Sequence, residues 1–510
     1  RSWRETRAGT LRVVNVVGEA GIGKSRLVYE LRQRLEGQGA LLLQGHCIAD
    51  GRSTPFLPFI EVVRTTFRIV ADDVPAETAR RLSRGLEILG LKPGDHLPFL
   101  LNLLGLPVEG EELRGLDGVI IGARTREALQ EMLRERCRLS PVLMFIDDLH
   151  WIDTASAELI TRVVRHEPSM PLLFVGACRP EYRPPWTQHA GVSELRLGPL
   201  SEEGCAHLVR NRLETDDAPR DLVGFVIEKA EGNPLFAEEI IQYLLESGTV
   251  CRSAAGFVFS GSPDGGRVPG TLGDLIMARV DRVTDDHRTL LQVASVIGRR
   301  FPVDVLREAL QVNGTVVRRL RDLEEQELVF RQEAGGLEEY RFKHALIQDA
   351  IYQSLLAPRQ AELHERVGEA IERLHAGRLG EWAEVLAHHY GRTRRADKAV
   401  RYLALAGDKS LRVYAVEEAH ERFRRVVELS EAVPGCADDV FLADVLLAWA
   451  RAYYYRKDNH GLVELQRYLP RVEALGDGRQ LSLFLFWLGF AHVIGARGDA
   501  GRRAGAGNVP

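Results

Sequence analysis

Apolar positions change their period along the 510-residue chain, and each change marks a different kind of structure. Up to about residue 200, short continuous apolar runs alternate with amphipathic stretches. Leu11 to Val17, Ala40 to His46, Val142 to Asp147, Leu172 to Ala177 and Glu194 to Leu197 read as strands. Strands apolar on both faces and separated by helices predict a parallel sheet covered on both sides, in an α/β core over 1–200. Residues 50–114 carry Pro55, Pro58, Pro75, Pro93, Pro98 and Pro107, too long a stretch for a plain crossover, and read as a helical insertion.

From Ser201 the period becomes 3.6, with helices expected near Glu202 to Arg212, Arg220 to Lys229 and Leu235 to Leu245, a small helical lid over 201–260. A Gly/Ser/Pro-rich link, Ser260 to Gly270, follows. Over 271–357 helices are expected at about Leu272 to Val283, Asp286 to Ile297, Pro302 to Leu310 and Val316 to Gln326, then two strands around Glu333-Ala-Gly-Gly336. Helices closed by a hairpin predict a winged helix. From 358 to 495 the pattern is helical throughout, with antiparallel pairs among Glu381 to Tyr390, Lys398 to Val413, Ala415 to Ser430, Phe441 to Tyr455, Leu462 to Leu475 and Gln480 to Ala491. A unit of roughly 40 residues, with Ala404, Ala406, Gly407, Ala415 and Ala419 at contact positions, suggests tetratricopeptide-like (TPR-like) stacking. The Gly/Ala/Arg-rich stretch 496–510 reads as a disordered tail.

Composition adds limits. With 45% hydrophobic and 27% charged residues and a net charge of −5, the chain reads as an ordinary globular protein of several domains. A pI near 6.4 gives no whole-chain basic footprint for nucleic acid. Cys47, Cys137, Cys178, Cys205, Cys251 and Cys436 form no C-x-x-C pair, which disfavours a disulfide framework or a zinc site and fits free thiols in a reducing compartment. The lack of an 18-residue apolar run or a signal peptide points to the cytoplasm and away from membranes. Opening at Arg1, shortly before the first strand, the chain reads as an internal piece of something longer.

The sharpest chemistry lies directly after the first apolar run. Gly18-Glu-Ala-Gly-Ile-Gly-Lys-Ser25 fits G-x-x-x-x-G-K-[ST], followed by a helix with Leu27, Val28, Leu31 and Leu35 on one face. Gly18, Gly21 and Gly23 are expected to turn the backbone through positive φ, so that successive amides from Glu19 and Ala20 through Ile22 to Arg26 cradle phosphate oxygens at a helix N-terminus. Lys24 then reaches the β- and γ-phosphates, and the Ser25 hydroxyl ligates Mg²⁺. The strand Val142 to Ile146 ends in Asp147-Asp148; Asp147 reads as the metal-side acid. Asp148 either polarises the attacking water or caps the following turn. His150 and Trp151 read as packing beneath the loop, and Asp153 as the N-cap of the helix holding Ala155 to Val164. Arg179, at the end of another strand, either senses the γ-phosphate or is a solvated loop arginine.

Five motifs stand in one order: G-E-A-G-I-G-K-S-R, D-D-L-H-W-I-D, G-A-C-R-P-E-Y, E-G-N-P-L-F-A-E-E and Y-R-F-K-H-A-L-I-Q-D-A-I-Y. Together, over about residues 11 to 430, they resemble the signal-transduction ATPases with numerous domains. The nearest likeness is to the ATPase module that accompanies class III adenylyl/guanylyl cyclase domains, as in the soluble adenylyl cyclases. The chain is also similar to the module of large LuxR-type regulators. The resemblance implies an ATP/ADP switch using Mg²⁺, closed on ADP and open or homo-oligomeric on ATP, with a protein or small-molecule signal received at the repeats. It further implies that Pro234, in the Gly232-Asn-Pro234 turn, contacts the adenine or ribose side from the lid. Pro234 is also a helix-start proline. His344 matches a histidine that touches the β-phosphate of ADP; the alternative is a core histidine.

Departures are equally plain. The V-G-R-E-like segment that contacts adenine is missing ahead of the first strand. No cyclase signature is present, so cyclase activity would belong to a part outside this chain. A competing class is a DNA-binding regulator reading a groove through Val316 to Asp322, with Arg318, Arg319 and Arg321 on phosphates. Another is a scaffold whose nucleotide is bound but inert. His388-His389 lacks a third ligand at metal spacing and reads as surface helix, and Arg497-Gly-Asp499 carries no weight.

Overall fold

The continuous apolar runs settle into one sheet. The computed structural model describes residues 1–47, 54–70, 73–108, 113, 116–253, 256–260, 269–312, 314–334, 337–456 and 465–490. The expected tail, and most of the link from Ser260 to Gly270, lie outside the described residues. After α1 (Ser2–Arg7), strands β1 (Arg12–Val17), β2 (Leu41–His46), β3 (Val142–Asp147), β4 (Leu172–Cys178) and β5 (Val192–Arg196) pair in parallel in the order β2-β3-β4-β1-β5. The fold class is an α/β P-loop core followed by an extensive helical region. Strands β3 and β4 are buried at every position. On one face, Trp3 of α1 and Val28 and Leu35 of α2 (Lys24–Leu35) cover Val16, Phe145 and Val175. The other face joins a larger core with the insertion helices α3 (Leu57–Thr66), α4 (Pro75–Ile88) and α5 (Pro93–Leu104), and with α6 (Gly118–Leu139) and α7 (Thr154–His166). Pro75 and Pro93 open their helices at the first turn, where the missing N–H costs nothing.

The next helices, α8 (Glu202–Leu213), α9 (Arg220–Ala230) and α10 (Pro234–Glu246), close on Val209, Leu222, Val226, Ile240 and Leu244. The hairpin β6 (Val250–Ser253) and β7 (Gly256–Phe259) follows; the sequence reading assigned no strand here, because strands this short and exposed carry little alternation. Beyond it, α11 (Leu272–Val280), α12 (Asp285–Ile297), α13 (Val303–Leu310) and α14 (Val316–Glu325) pack with an antiparallel sheet ordered β8-β10-β9, from β8 (Arg300–Pro302), β9 (Val329–Ala334) and β10 (Leu337–Phe342). Two strands were expected there. The third, β8, spans three residues, too few to show a period.

Helices α15 (Ala345–Ser354), α16 (Ala357–Leu374), α17 (Ala383–Tyr390), α18 (Ala396–Arg412), α19 (Val416–Ala432) and α20 (Asp439–Arg456) complete most of the chain, with Leu469–Ala474 and a helix over 478–490 after them. Small residues permit close approach here: a Cβ on Gly407 would lie 2.6 Å from Cε1 of Phe423. One apolar core runs from Ile276 through Phe342 to Ala406, fusing the hairpin unit with the first repeats. The repeats also reach back to the α/β core. Val413 and Ala415 join its apolar cluster, Asn102 donates to the Arg412 carbonyl at 3.1 Å, and Glu418 accepts from the Thr154 amide at 3.0 Å. Among the described residues, no helix is long and apolar enough to cross a membrane.

One buried ionic cluster ties the lid to the hairpin unit. Arg279 of α11, its side chain 2% exposed, donates to Glu239 of α10 (1% exposed), to Glu246 at 2.9 Å and to the Gln326 carbonyl at 2.7 Å. Removing one partner of such a pair strands the other charge in a low dielectric. Arg279→Ala should therefore cost about 3–5 kcal/mol in chemical denaturation, while Arg288→Ala, at an exposed pair, should cost less than about 1 kcal/mol.

Candidate functional site

Strand β1 delivers the chain to Gly18, and three glycines then do different work. Gly21 and Gly23 have φ of 79° and 99°, and Gly23 is the left-handed N-cap of α2. Gly18 does not share the positive φ expected of it. It is needed for space: a Cβ there would lie 2.7 Å from Cγ2 of Ile22 and 3.1 Å from the Leu197 carbonyl. Ile22 plugs the loop from beneath, 9% exposed. Lys24 folds back, its Nζ donating to the carbonyls of Gly18 at 2.7 Å and Glu19 at 2.8 Å. Arg26 turns its guanidinium outward to Glu30 at 2.5 Å, so its backbone, not its side chain, belongs to the loop.

Ser25 Oγ donates to Asp147 Oδ2 at 3.0 Å. A hydroxyl and a buried carboxylate so placed are hard oxygen donors, the set that suits Mg²⁺. Asp148, next to it, adopts a left-handed conformation (φ 56°, ψ 43°) and its side chain makes no capping bond to the turn that follows. Burial, and then the neighbouring Asp147 carboxylate, push the Asp148 carboxyl up to about 6. Three cations oppose this: Arg299, Lys24 and Arg179. Arg299 Nη1 lies 3.5 Å from Asp148 Oδ2. Burial lowers the Lys24 ammonium against the pull of Asp148 and Asp147. Arg179 also faces Asp349 of α15, so the end of β4 meets both acids. Cys178 beside it is pushed up to about 11 by burial, which leaves an unreactive thiol.

His150 is buried, with its ring 5.0 Å from that of Trp151. Asp153 caps α7 through Ser156 N at 2.8 Å and also accepts from Phe56 N at 3.0 Å. The lid closes over the loop at its Asn-Pro turn. Asn233 Oδ1 accepts from the amides of Leu235 (3.1 Å) and Phe236 (3.3 Å), while its Nδ2 donates to the Ala20 carbonyl at 3.1 Å. Leu235 N donates to the Gly21 carbonyl at 3.3 Å, and Pro234 stands at the first turn of α10 beside this tether. His344 sits at the start of α15, its Nε2 4.0 Å from Glu238 Oε2. Burial, then Lys343, Arg299 and Arg341, push its imidazole down to about 3, so it is neutral.

The structure thus gathers Lys24, Ser25, Asp147, Asp148 and Arg179 at the strand ends, with Pro234 above the loop. His344 lies in the same cationic field as Arg299. Sequence reasoning missed Asn233, Arg299 and Arg300. Asn before Pro is a helix-start signal that marks Asn233. Nothing in the Gly298-Arg-Arg300 pattern marks the arginines. Arg300 of β8 donates to Glu61, whose Oε2 also accepts from the His46 amide at 2.9 Å, forming a second polar tie at the end of β2.

Residues 2–175 match the family described as the AAA ATPase domain, and residues 201–250 match a domain of unknown function (DUF8739). The first stretch is an AAA-type ATPase domain, a class whose chemistry is nucleoside triphosphate hydrolysis. An uncharacterized protein of Rhizobium meliloti (strain 1021) is 25% identical over 443 residues, covering 84% of this chain and 41% of that protein. The chain thus spans about two-fifths of the length of this curated relative. Among solved structures, a signal transduction ATPase with numerous domains carrying a tetratricopeptide repeat sensor, from Pyrococcus horikoshii, aligns over 96% of this chain and 73% of its own at 13% identity and a TM-score of 0.40. A variant of Thermotoga maritima RuvB aligns over 67% of this chain and 88% of its own at 13% identity and a TM-score of 0.28. Likeness at this level defines neither a site nor a partner.

The tether and the acid pair each generate an expectation. Asn233→Ala removes an N-cap and the lid's hold on Ala20; it should cost about 1–2 kcal/mol and weaken nucleotide binding, read by denaturation and by equilibrium titration. For Asp148, folding raises the carboxyl from its ordinary 3.8 to about 6. Its stabilising contribution is complete below 3.8 and is lost as pH rises through 6, because the native chain holds the proton more tightly than the unfolded one. Asp148→Asn should therefore be more stable than wild type at neutral pH, with the difference shrinking in melts at pH below 3.8.

Proposed function

We propose that this chain is an ATP-binding, slowly hydrolysing regulatory switch module of a signal-transduction protein, closed on ADP and open or self-associating on ATP. The observation that carries the reading is Arg299, presented by the hairpin unit 3.5 Å from Asp148 at the tip of β3. In this reading the hairpin unit is a winged helix that latches the hydrolytic acid. Gly18 N is spent on the Cys178 carbonyl at 3.2 Å, so the backbone amides that follow it in the loop receive the phosphates, and Lys24 leaves its loop carbonyls for the β- and γ-phosphates. Ser25 and Asp147 hold Mg²⁺, which when bound neutralises charge on those phosphates. Asp148 accepts the proton of the attacking water once Arg299 withdraws. Arg179 stands where it meets the γ-phosphate.

His344 supports the closed half of the cycle. A neutral imidazole has one N–H to donate, the bond a β-phosphate oxygen accepts. Pro234 and Asn233 set the lid on the loop, so nucleotide contacts core, lid and winged helix together, and exchange of ADP for ATP biases their arrangement by differential contacts. The repeats are the proposed receiver of a protein or small-molecule signal, and the cytoplasm the proposed setting. Association with a cyclase, or with a LuxR-type output, rests on the sequence motifs alone. Groove reading by α14 is disfavoured by Arg319, which pairs with Asp286 inside its own unit.

Nucleotide released on denaturing freshly purified protein should be ADP, and Lys24→Ala should carry none. Arg299→Ala should raise basal ATP turnover several-fold. It should also move the acid limb of the rate profile to higher pH, because the strongest cation holding the Asp148 carboxyl down has gone. An unchanged rate with an unchanged limb would remove the latch. His344→Ala should loosen ADP and raise self-association, seen by titration and gel filtration.

A further inference from the structure

Far along the chain from the nucleotide loop, three imidazoles meet where the hairpin unit joins the first repeats. His388 and His389 stand in the last turn of α17, and folding supplies the third ligand that the sequence spacing lacked, His364 of α16. One ligating nitrogen of each lies within 4.8 Å of the other two. His364 and His389 are each 1% exposed, and their Nδ1 atoms are 2.8 Å apart. The Tyr352 hydroxyl of α15 holds the far nitrogen of His364, Nε2, at 3.0 Å. Arg392 meets Nδ1 of the half-buried His388 at 3.0 Å from the exposed side.

We propose that His364, His388 and His389 bind one borderline divalent transition ion of the Zn²⁺ or Co²⁺ class, through Nδ1 of His364 and His389 and a ring nitrogen of His388. Imidazole nitrogens without a carboxylate select Zn²⁺, Co²⁺, Ni²⁺ or Cu²⁺ over Mg²⁺ and Ca²⁺. At a metal–nitrogen distance of about 2.0–2.1 Å, tetrahedral ligands stand roughly 3.4 Å apart. Small ring rotations convert the observed spacing to that one, opening the 2.8 Å pair and drawing in His388. The facing Nδ1 atoms of His364 and His389 share one hydrogen bond at 2.8 Å, and an ion would take the place of its proton between the same two nitrogens. The C-terminal end of α17 adds the negative pole of a helix. Tyr352 serves as the outer partner that fixes a ligating ring, and water would supply the fourth ligand. An ion so held would staple α16 to α17, with Tyr352 drawing in α15.

The test uses the full chain, stripped with chelator and kept in excess Mg²⁺ to fill the nucleotide site. Co²⁺ titration should give the intense visible bands of a four-coordinate ion, saturating at one ion per chain and displaced by Zn²⁺, and Zn²⁺ should raise the melting temperature. His389→Ala should abolish the bands. His388→Ala, a half-buried change that leaves the packed rings in place, should weaken Co²⁺ about tenfold or more, whereas Ser25→Ala should leave the bands intact. Absence of the bands in wild type, weak six-coordinate binding only, or equal binding in His388→Ala would overturn the site in favour of a histidine pair hydrogen-bonded in a packed core.

Discussion

Two adjacent carboxylates at the tip of one strand must be compensated, and much of the arrangement around the nucleotide loop follows from that. Asp147 is buried and bonded to Ser25; Asp148 is raised by its own burial and by its neighbour. The compensating cations come from separate places: Lys24 after β1, Arg179 after β4, and Arg299 just before β8. The first two belong to the sheet itself. Arg299 belongs to a unit whose apolar core shares no residue with that of the sheet. Two polar ties join the segment at β8 to the α/β core, Arg299 on Asp148 just beyond β3 and Arg300 on Glu61 of α3. A joint made of partly exposed ion pairs is weak compared with a fused core.

The lid is held differently. Its links to the hairpin unit include the Arg212–Glu327 pair and the Arg279 cluster, whose Arg279 and Glu239 are buried and costly to separate. Its link to the phosphate loop is a set of neutral hydrogen bonds at Asn233 and Leu235. Strength thus grades from the lid's firm attachment behind to its lighter grip on the loop in front. Motion that separates the hairpin unit from the sheet would carry the lid with it.

How much of this the sequence disclosed depended on the kind of signal. Strands β3 and β4 were legible because each is a continuous apolar run, buried at every position. The phosphate loop was legible because its glycines and lysine have few other uses at that spacing. Hairpin β6–β7 and strand β8 were not, since short strands carry no measurable period. Arg299 and Glu418 were invisible for a stronger reason. Their roles exist only through partners 151 and 264 residues away, and an arginine or glutamate has no local signature for that. Gly18 shows the reverse error, a correct residue with the wrong reason, since its backbone is ordinary and its neighbours are close.

Glu418 accepts from the Thr154 amide, at the N-terminus of the helix that follows the acid pair. The partners are 264 residues apart. A ribosome adding about 5–20 residues per second needs roughly 10–50 s to bring the second into existence after the first. For most of that interval, once β5 has been made, the nascent α/β domain has every strand and the whole phosphate loop, yet lacks both this carboxylate and the apolar cover of Val413 and Ala415. Its last surface to be sealed is the one the repeats supply, so the order of synthesis places completion of the α/β domain after the arrival of the helices that cover it.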